Sequence, residues 1–86
     1  MNPQPKKKRI KLTGADYHRL RYEAWYNAGG CCEVCFRYAT FEPGRENHGV
    51  IHHVKSKGSG GDDSLENVVW LCNVCHDKVH RGLIKI

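Results

Sequence analysis

Two cysteine pairs of identical spacing, Cys32-x-x-Cys35 and Cys72-x-x-Cys75, are the strongest chemical signal in this chain. Each pair can chelate one ion from a tight turn, and two such pairs complete a tetrahedron of sulfurs. Closed sulfur tetrahedra favour zinc or an iron–sulfur centre. Nothing else in the chain suggests redox chemistry, so a structural Zn²⁺ is the expectation. A filled four-thiolate site keeps no open position and is assigned no catalysis. Cys31 could replace Cys32 through a three-residue spacing. The two-residue spacing is commoner and matches the second pair, so Cys32 is taken as ligand and Cys31 as a spare thiol. The competing reading is a set of redox-active CxxC motifs.

Four of the six histidines fall in a second pattern: His52-His53, then Asn67, then His76-x-x-x-His80. On a helix, His76 and His80 share a face, and a pair at that spacing can chelate one divalent ion. Cys75 lies about 100° around the same helix from His76, so the two sites can face opposite sides. On a regular strand, His52 and His53 point to opposite faces. One of them can ligate a metal while its neighbour does something else. A one-metal nuclease needs such a division, with an ion to neutralise phosphate charge and a neutral imidazole to take a proton from water. The alternatives are a second structural zinc site or surface histidines brought near by chance. His18 and His48 remain unassigned. His48 could contact a substrate, but a solvated loop histidine is the preferred reading.

The elements that must position these residues can be read from period and punctuation. Thr13 and Asp16 suggest a loose capping box ahead of a first helix. Tyr17, Leu20, Ala24, Trp25 and Ala28 recur near helical spacing as an ordinary core stripe, and Gly29-Gly30 ends the helix. Cys31 to Cys35 is expected to be a tight turn, with Phe36 to Gly44 a loop or short extended piece. Val50 to Val54 reads as a strand, Lys55 to Ser64 as a flexible glycine-bearing loop, and Val68 to Leu71 as a second strand. Asn73 to Arg81 fits a helix stopped by Gly82. The C-terminal half is therefore strand, loop, strand, helix. No repeats occur.

With 86 residues there is room for one domain, expected over residues 13–86. So short a chain buries little apolar surface and needs a staple. Five cysteines, an odd number, without a leading apolar signal segment argue against a disulfide framework. A reducing, cytoplasmic compartment with metal-bound thiolates is the expectation, and no run approaches a membrane span. The formal net charge of +5 suggests a polyanionic partner, most simply DNA. Binding one zinc at four thiolates and one further divalent ion would leave that balance unchanged. Residues 1–12 read as a disordered basic arm: Pro3 and Pro5 break helix, and Lys6, Lys7, Lys8 and Arg9 repel one another. The arm reads equally as a solvated tail or as a nucleic-acid-binding segment that touches phosphates.

The segment IHHVKSKGSGGDDSLENVVWLCNVCHDKVH resembles the HNH endonuclease motif. It is most similar to the small phage-type subclass, in which zinc-binding CxxC pairs brace the motif. The resemblance spans roughly residues 15–82, the helix-Gly-Gly-CxxC lead-in included. It implies an α+β fold: a ββα-metal (His-Me finger) core, preceded by an N-terminal helix and stapled by a structural four-cysteine zinc site. It also implies roles. His52 and His76 would be ligands of the catalytic metal, with His80 a third. His53 would be the general base, and Asn67 would hold the long loop and so orient His53. The reaction implied is DNA phosphodiester hydrolysis to 5′-phosphate and 3′-hydroxyl ends, with Mg²⁺, Mn²⁺, Ni²⁺ or Zn²⁺ as catalytic ion. The chain departs from the motif in its extra Cys31 and its basic arm. One centre cuts one strand per event, so a homodimer or a larger phage packaging or recombination partner are further expectations. A non-catalytic zinc-binding nucleic-acid module would keep the cysteines and the arm. It would not need His52, His53, Asn67, His76 and His80 together. A protein-interaction zinc domain would explain neither the histidines nor the charge.

Overall fold

A computed structural model describes residues 11–56 and 60–86. The basic run Lys6–Arg9 and most of the expected arm lie outside the described residues, as do residues 57–59 of the glycine-bearing loop.

The first helix, α1, spans Gly14–Asn27 and buries Leu20 and Ala24, one turn apart on one face. Tyr17, Trp25 and Ala28 from the expected stripe pack half-buried against the same core. Gly29 and Gly30 follow with φ of 66° and 76°, so the helix stops where two glycines can take the left-handed cap. Its start differs from expectation. Thr13 occupies the N-cap with extended backbone but makes no side-chain capping bond. Gly14 opens the helix at φ 55°, a left-handed turn that takes Thr13 out of line with the first-turn amides.

Strands β1 (Gly49–His53) and β2 (Val68–Cys72) pair antiparallel, with Gly49 opposite Cys72 and His53 opposite Val68. Both differ by one residue from the sequence expectation. Helix α2 (Asn73–His80) follows β2 without a linker, and Gly82 lies just beyond it at φ 74°. A single 3₁₀ turn, Leu65–Asn67, leads into β2. A two-stranded sheet is marginal alone. Here its inner face is covered by α1, and Trp70 and Leu71 are fully buried in a core shared with Ile51, Val68, Ala39, Cys32, Cys72 and Cys75.

Trp70 organises the centre. Its indole N–H donates to the Ala39 carbonyl at 3.1 Å, and its ring lies against Gly49. A Cβ at Gly49 would sit 2.2 Å from that ring, so only glycine lets β1 run past it. The outer edge of β2 is closed by Glu33, whose amide donates to the Trp70 carbonyl at 2.9 Å and whose carboxylate accepts the Trp70 amide. Arg21 reaches from α1 to the carbonyls of Phe41 and Gly49, both at 3.2 Å, with its guanidinium 4.7 Å from the Phe41 ring centroid. Among the described residues no helix is long and apolar enough to cross a membrane.

Candidate metal centres and the histidine cleft

Two groups of metal-ligating side chains converge among the described residues: Cys32, Cys35, Cys72 and Cys75, and His52, His76 and His80. In each group the donor atoms all lie within 4.8 Å of one another. Helix α2 contributes to both, through Cys75 on its buried side and His76 and His80 on its outer side.

The cysteine group is built by two turns of the same kind. After Cys32, the amides of Val34 and Cys35 point at the Cys32 sulfur, at 3.4 and 3.5 Å. Cys72 caps α2, its sulfur accepting the Cys75 amide at 3.3 Å. The Sγ atoms of Cys35 and Cys72 are 3.8 Å apart. A tetrahedron with metal–sulfur bonds of about 2.3 Å has edges of about 3.8 Å, so this donor set fits zinc. Cys31 is half-buried, pairs through its backbone with Tyr38, and is not part of the group.

The thiols are electrostatically at odds without a cation. Burial raises the Cys32 thiol, but the amides of Cys35, Cys72 and Val34 outweigh it and draw the pKa down to about 6. Burial pushes Cys75 up to about 12, reinforced by the neighbouring thiols of Cys72, Cys35 and Cys32. Cys72 is raised as well, chiefly by burial. One thiolate forms readily and then opposes the rest, so a divalent cation is what allows four to coexist.

The histidine group is more open. Nε2 of His76 and Nε2 of His80 are 3.0 Å apart, and the His52 ring centroid lies 5.7 and 6.0 Å from theirs. His52 and His76 are half-buried and His80 is exposed. Burial lowers the pKa of His52 and of His76, and the charges of neighbouring histidines lower both further. Both rings are thereby kept neutral, the form that ligates metal. Three imidazoles leave positions free on any ion they hold, unlike the thiol set.

His53 belongs to neither group. It turns its Nε2 to a carboxylate oxygen of Asp63 at 2.7 Å, with Asp63 almost wholly buried. It nevertheless lines the same open cleft as His52, His76 and His80, together with Ser56. The opposite-face expectation therefore holds only in part. His53 is the last residue of β1, and the chain bends directly after it at Val54. Asn67 does hold the loop. Its amide group accepts from Lys55 N at 2.8 Å and donates to Lys55 O and Asp62 O at 3.0 and 2.9 Å. Gly61 completes the closure, donating to Ser56 O at 2.8 Å, where a Cβ would sit 1.8 Å from the Lys55 carbonyl oxygen. Asn67 thus fixes the loop ends, while the side chain that touches His53 is Asp63, which sequence reasoning missed. An acidic pair, Asp62-Asp63, between two glycines and the asparagine is the available signal.

Of the remaining histidines, His48 holds the Arg45 carbonyl through Nδ1 at 2.7 Å and His18 packs edge-on against Phe41. Neither lies in the cleft.

The family model for the HNH endonuclease domain matches residues 32–82, more than half of the 86-residue chain. The chain is 38% identical over 61 residues to the type IV methyl-directed restriction enzyme EcoKMcrA of Escherichia coli (strain K12), a match covering 67% of this chain and 22% of that enzyme. It is 33% identical over 55 residues to Anaredoxin of a Nostoc species, covering 64% of this chain and 63% of that protein. The chain thus spans less than two thirds of the length of either relative.

Proposed function

The chain belongs to the HNH endonuclease family, and on that premise we propose that it is a metal-dependent DNA endonuclease. In this reading β1, β2 and α2 form the ββα-metal core, residues 13–86 act as one nuclease domain, and zinc at the four cysteines staples it. The observation that carries the reading is the convergence of His52, His76 and His80 on one point beside His53.

His52, His76 and His80 would hold the catalytic divalent ion. When bound, that ion supplies positive charge to the phosphate oxygens and to the departing 3′-oxygen. His53 accepts a proton from a water in line with the scissile bond. The water oxygen bonds to phosphorus, the bond from phosphorus to the 3′-oxygen breaks, and the leaving oxygen takes a proton from solvent. The products carry 5′-phosphate and 3′-hydroxyl ends. Asn67 keeps the loop closed so that His53 stays at the cleft. Lys6, Lys7, Lys8 and Arg9 would add phosphate contacts that do not depend on base sequence.

The test is incubation of supercoiled plasmid with pure, zinc-loaded protein across Mg²⁺, Mn²⁺, Ni²⁺ and Zn²⁺. Nicked or linear product that needs an added ion, and that disappears in His53→Ala, is the expected result. Plasmid that is shifted on a gel but never cut would instead identify a non-catalytic nucleic-acid-binding module.

A further inference from the structure

Asp63 is the most deeply buried acidic side chain among the described residues, with its residue 2% exposed. It lies in the loop between the two strands, ten positions after His53. Both of its oxygens are engaged: Oδ1 meets His53 Nε2 at 2.7 Å, and Oδ2 accepts the backbone N–H of Leu12 at 2.9 Å. The His53 ring is itself largely enclosed, with 12% of its side chain exposed. Burying a carboxylate is costly unless it is paired and hydrogen-bonded, and the two partners of Asp63 meet that need.

Building on the nuclease reading, we infer that Asp63 is the positioning residue for His53: it fixes the ring and holds its proton on Nε2. A carboxylate accepts hydrogen bonds and does not donate them, so Nε2 must carry the hydrogen. The neutral ring then presents Nδ1 as its one free lone pair, so Nδ1 is the nitrogen left to act as base on a ring that lines the cleft. When Nδ1 takes the proton of water, the ring becomes cationic while its Nε2–H still rests on a carboxylate. The developing charge is thus matched without movement. Leu12 completes the device. Its amide holds the second oxygen, so the segment leading into α1 sets the angle of the carboxylate.

Asparagine at this position separates orientation from space-filling. In Asp63→Asn the amide oxygen can keep the Leu12 N–H, and the amide nitrogen then donates to Nε2. That reverses the ring: Nε2 becomes the acceptor and Nδ1 carries the hydrogen, so the base is blocked while the loop remains packed. The same exchange beside a catalytic histidine in serine proteases lowers turnover by about 10⁴-fold through the wrong tautomer.

The experiment uses the full-length, ¹⁵N-labelled, zinc-saturated protein. Long-range ¹H–¹⁵N spectra of the histidine rings report which nitrogen of His53 is protonated. Wild type is expected to show a pyrrole-type Nε2 and a pyridine-type Nδ1, and Asp63→Asn the reverse. Plasmid cleavage by Asp63→Asn should lose about 10²- to 10⁴-fold in kcat, with KM and calorimetric metal affinity within about two-fold of wild type. Wild-type His53 protonated on Nδ1 overturns the inference and requires no variant to fold. So does Asp63→Asn that keeps both the wild-type tautomer and the wild-type kcat. Wild type that never cuts plasmid while His53 keeps Nε2–H overturns the nuclease reading and leaves the pairing standing.

Discussion

The cysteine cluster and the histidine cluster are carried by the same eight-residue helix yet are built on opposite terms. Three of the four cysteines are buried, and amides aimed at the sulfurs of Cys32 and Cys72 ready them for negative charge. The histidines lie along an open cleft, with His52 and His76 held toward the neutral form by partial burial and by the neighbouring histidines. The first arrangement can close around one ion and leave no coordination position open. The second can hold an ion and still leave room for water and a phosphate. The difference teaches how ligand count and burial can set a closed metal site apart from one that keeps positions open.

Breaking the closed cluster should have the largest effect. A structural zinc contributes about 10–16 kcal/mol of apparent binding free energy at pH 7, comparable to the whole stability of a small domain. Cys72→Ser removes an expected ligand while serine can still cap α2, so the loss isolates the metal, and it should yield unfolded or insoluble protein. Circular dichroism and zinc content of the purified variant check this, and a folded zinc-free variant would erase the contrast between the clusters.

Disturbing the open cleft should leave the fold and remove the chemistry. His53→Ala should keep metal affinity and lose about 10²- to 10⁴-fold in cleavage rate. His76→Ala should lose metal affinity, and excess metal should partly restore its rate. Calorimetric titration beside plasmid cleavage at low and high metal separates the two. If His53→Ala is the variant that loses the ion, the roles of the adjacent histidines are reversed.

Acid should affect the cleft in a graded way. His52 and His76 titrate below the ordinary value of 6.5, so in the folded protein they remain neutral where an unfolded chain would already be taking protons. Their contribution to stability is complete above 6.5 and is lost as pH falls through their lowered values. The Ni²⁺ affinity contributed by His52 and His76 should likewise be lost at a pH below the ordinary histidine value. Calorimetry at several pH values, on wild type and on His80→Ala, tests this. A loss in His80→Ala centred above about 6.5 would contradict the burial argument.

The smallest effect is expected beside the closed cluster. Cys31 is half-buried and stands outside the sulfur group, so Cys31→Ser should retain zinc and change stability by no more than about 0.5 kcal/mol. Loss of zinc in Cys31→Ser but not in Cys32→Ser would redraw the ligand set.

Much of this arrangement is legible in the chain because its signals are local. Paired CxxC turns and two histidines one helical turn apart need only short-range geometry to be read. The two strands, both helices and the glycine stops follow from period and punctuation, with strand edges displaced by one residue. What is not legible depends on residues far apart. Asp62 and Asp63 look alike in sequence, yet Asp63 is buried against His53 and against Leu12, 51 positions earlier. Nothing local to either aspartate tells them apart. The same holds for Glu33, which closes the edge of β2 from 37 positions away. The capping role of Thr13 fails for a different reason, because the φ of Gly14 is a backbone choice that residue type permits but does not dictate. For His53, the regular alternation that puts it across the strand from His52 ends where the strand does.

The two cysteine pairs also set the tempo of assembly. Each half-site is local and can form early, but Cys35 and Cys72 must meet across 37 positions of chain. Contacts of that span slow folding, because the entropy of closing the loop is lost before any packing is gained. An ion held first by one pair would complete its coordination only once the Cys32–Cys35 turn had docked on the edge of β2, where Glu33 pairs with Trp70. With zinc as that ion, its free concentration would govern how fast molecules become native as well as how many do.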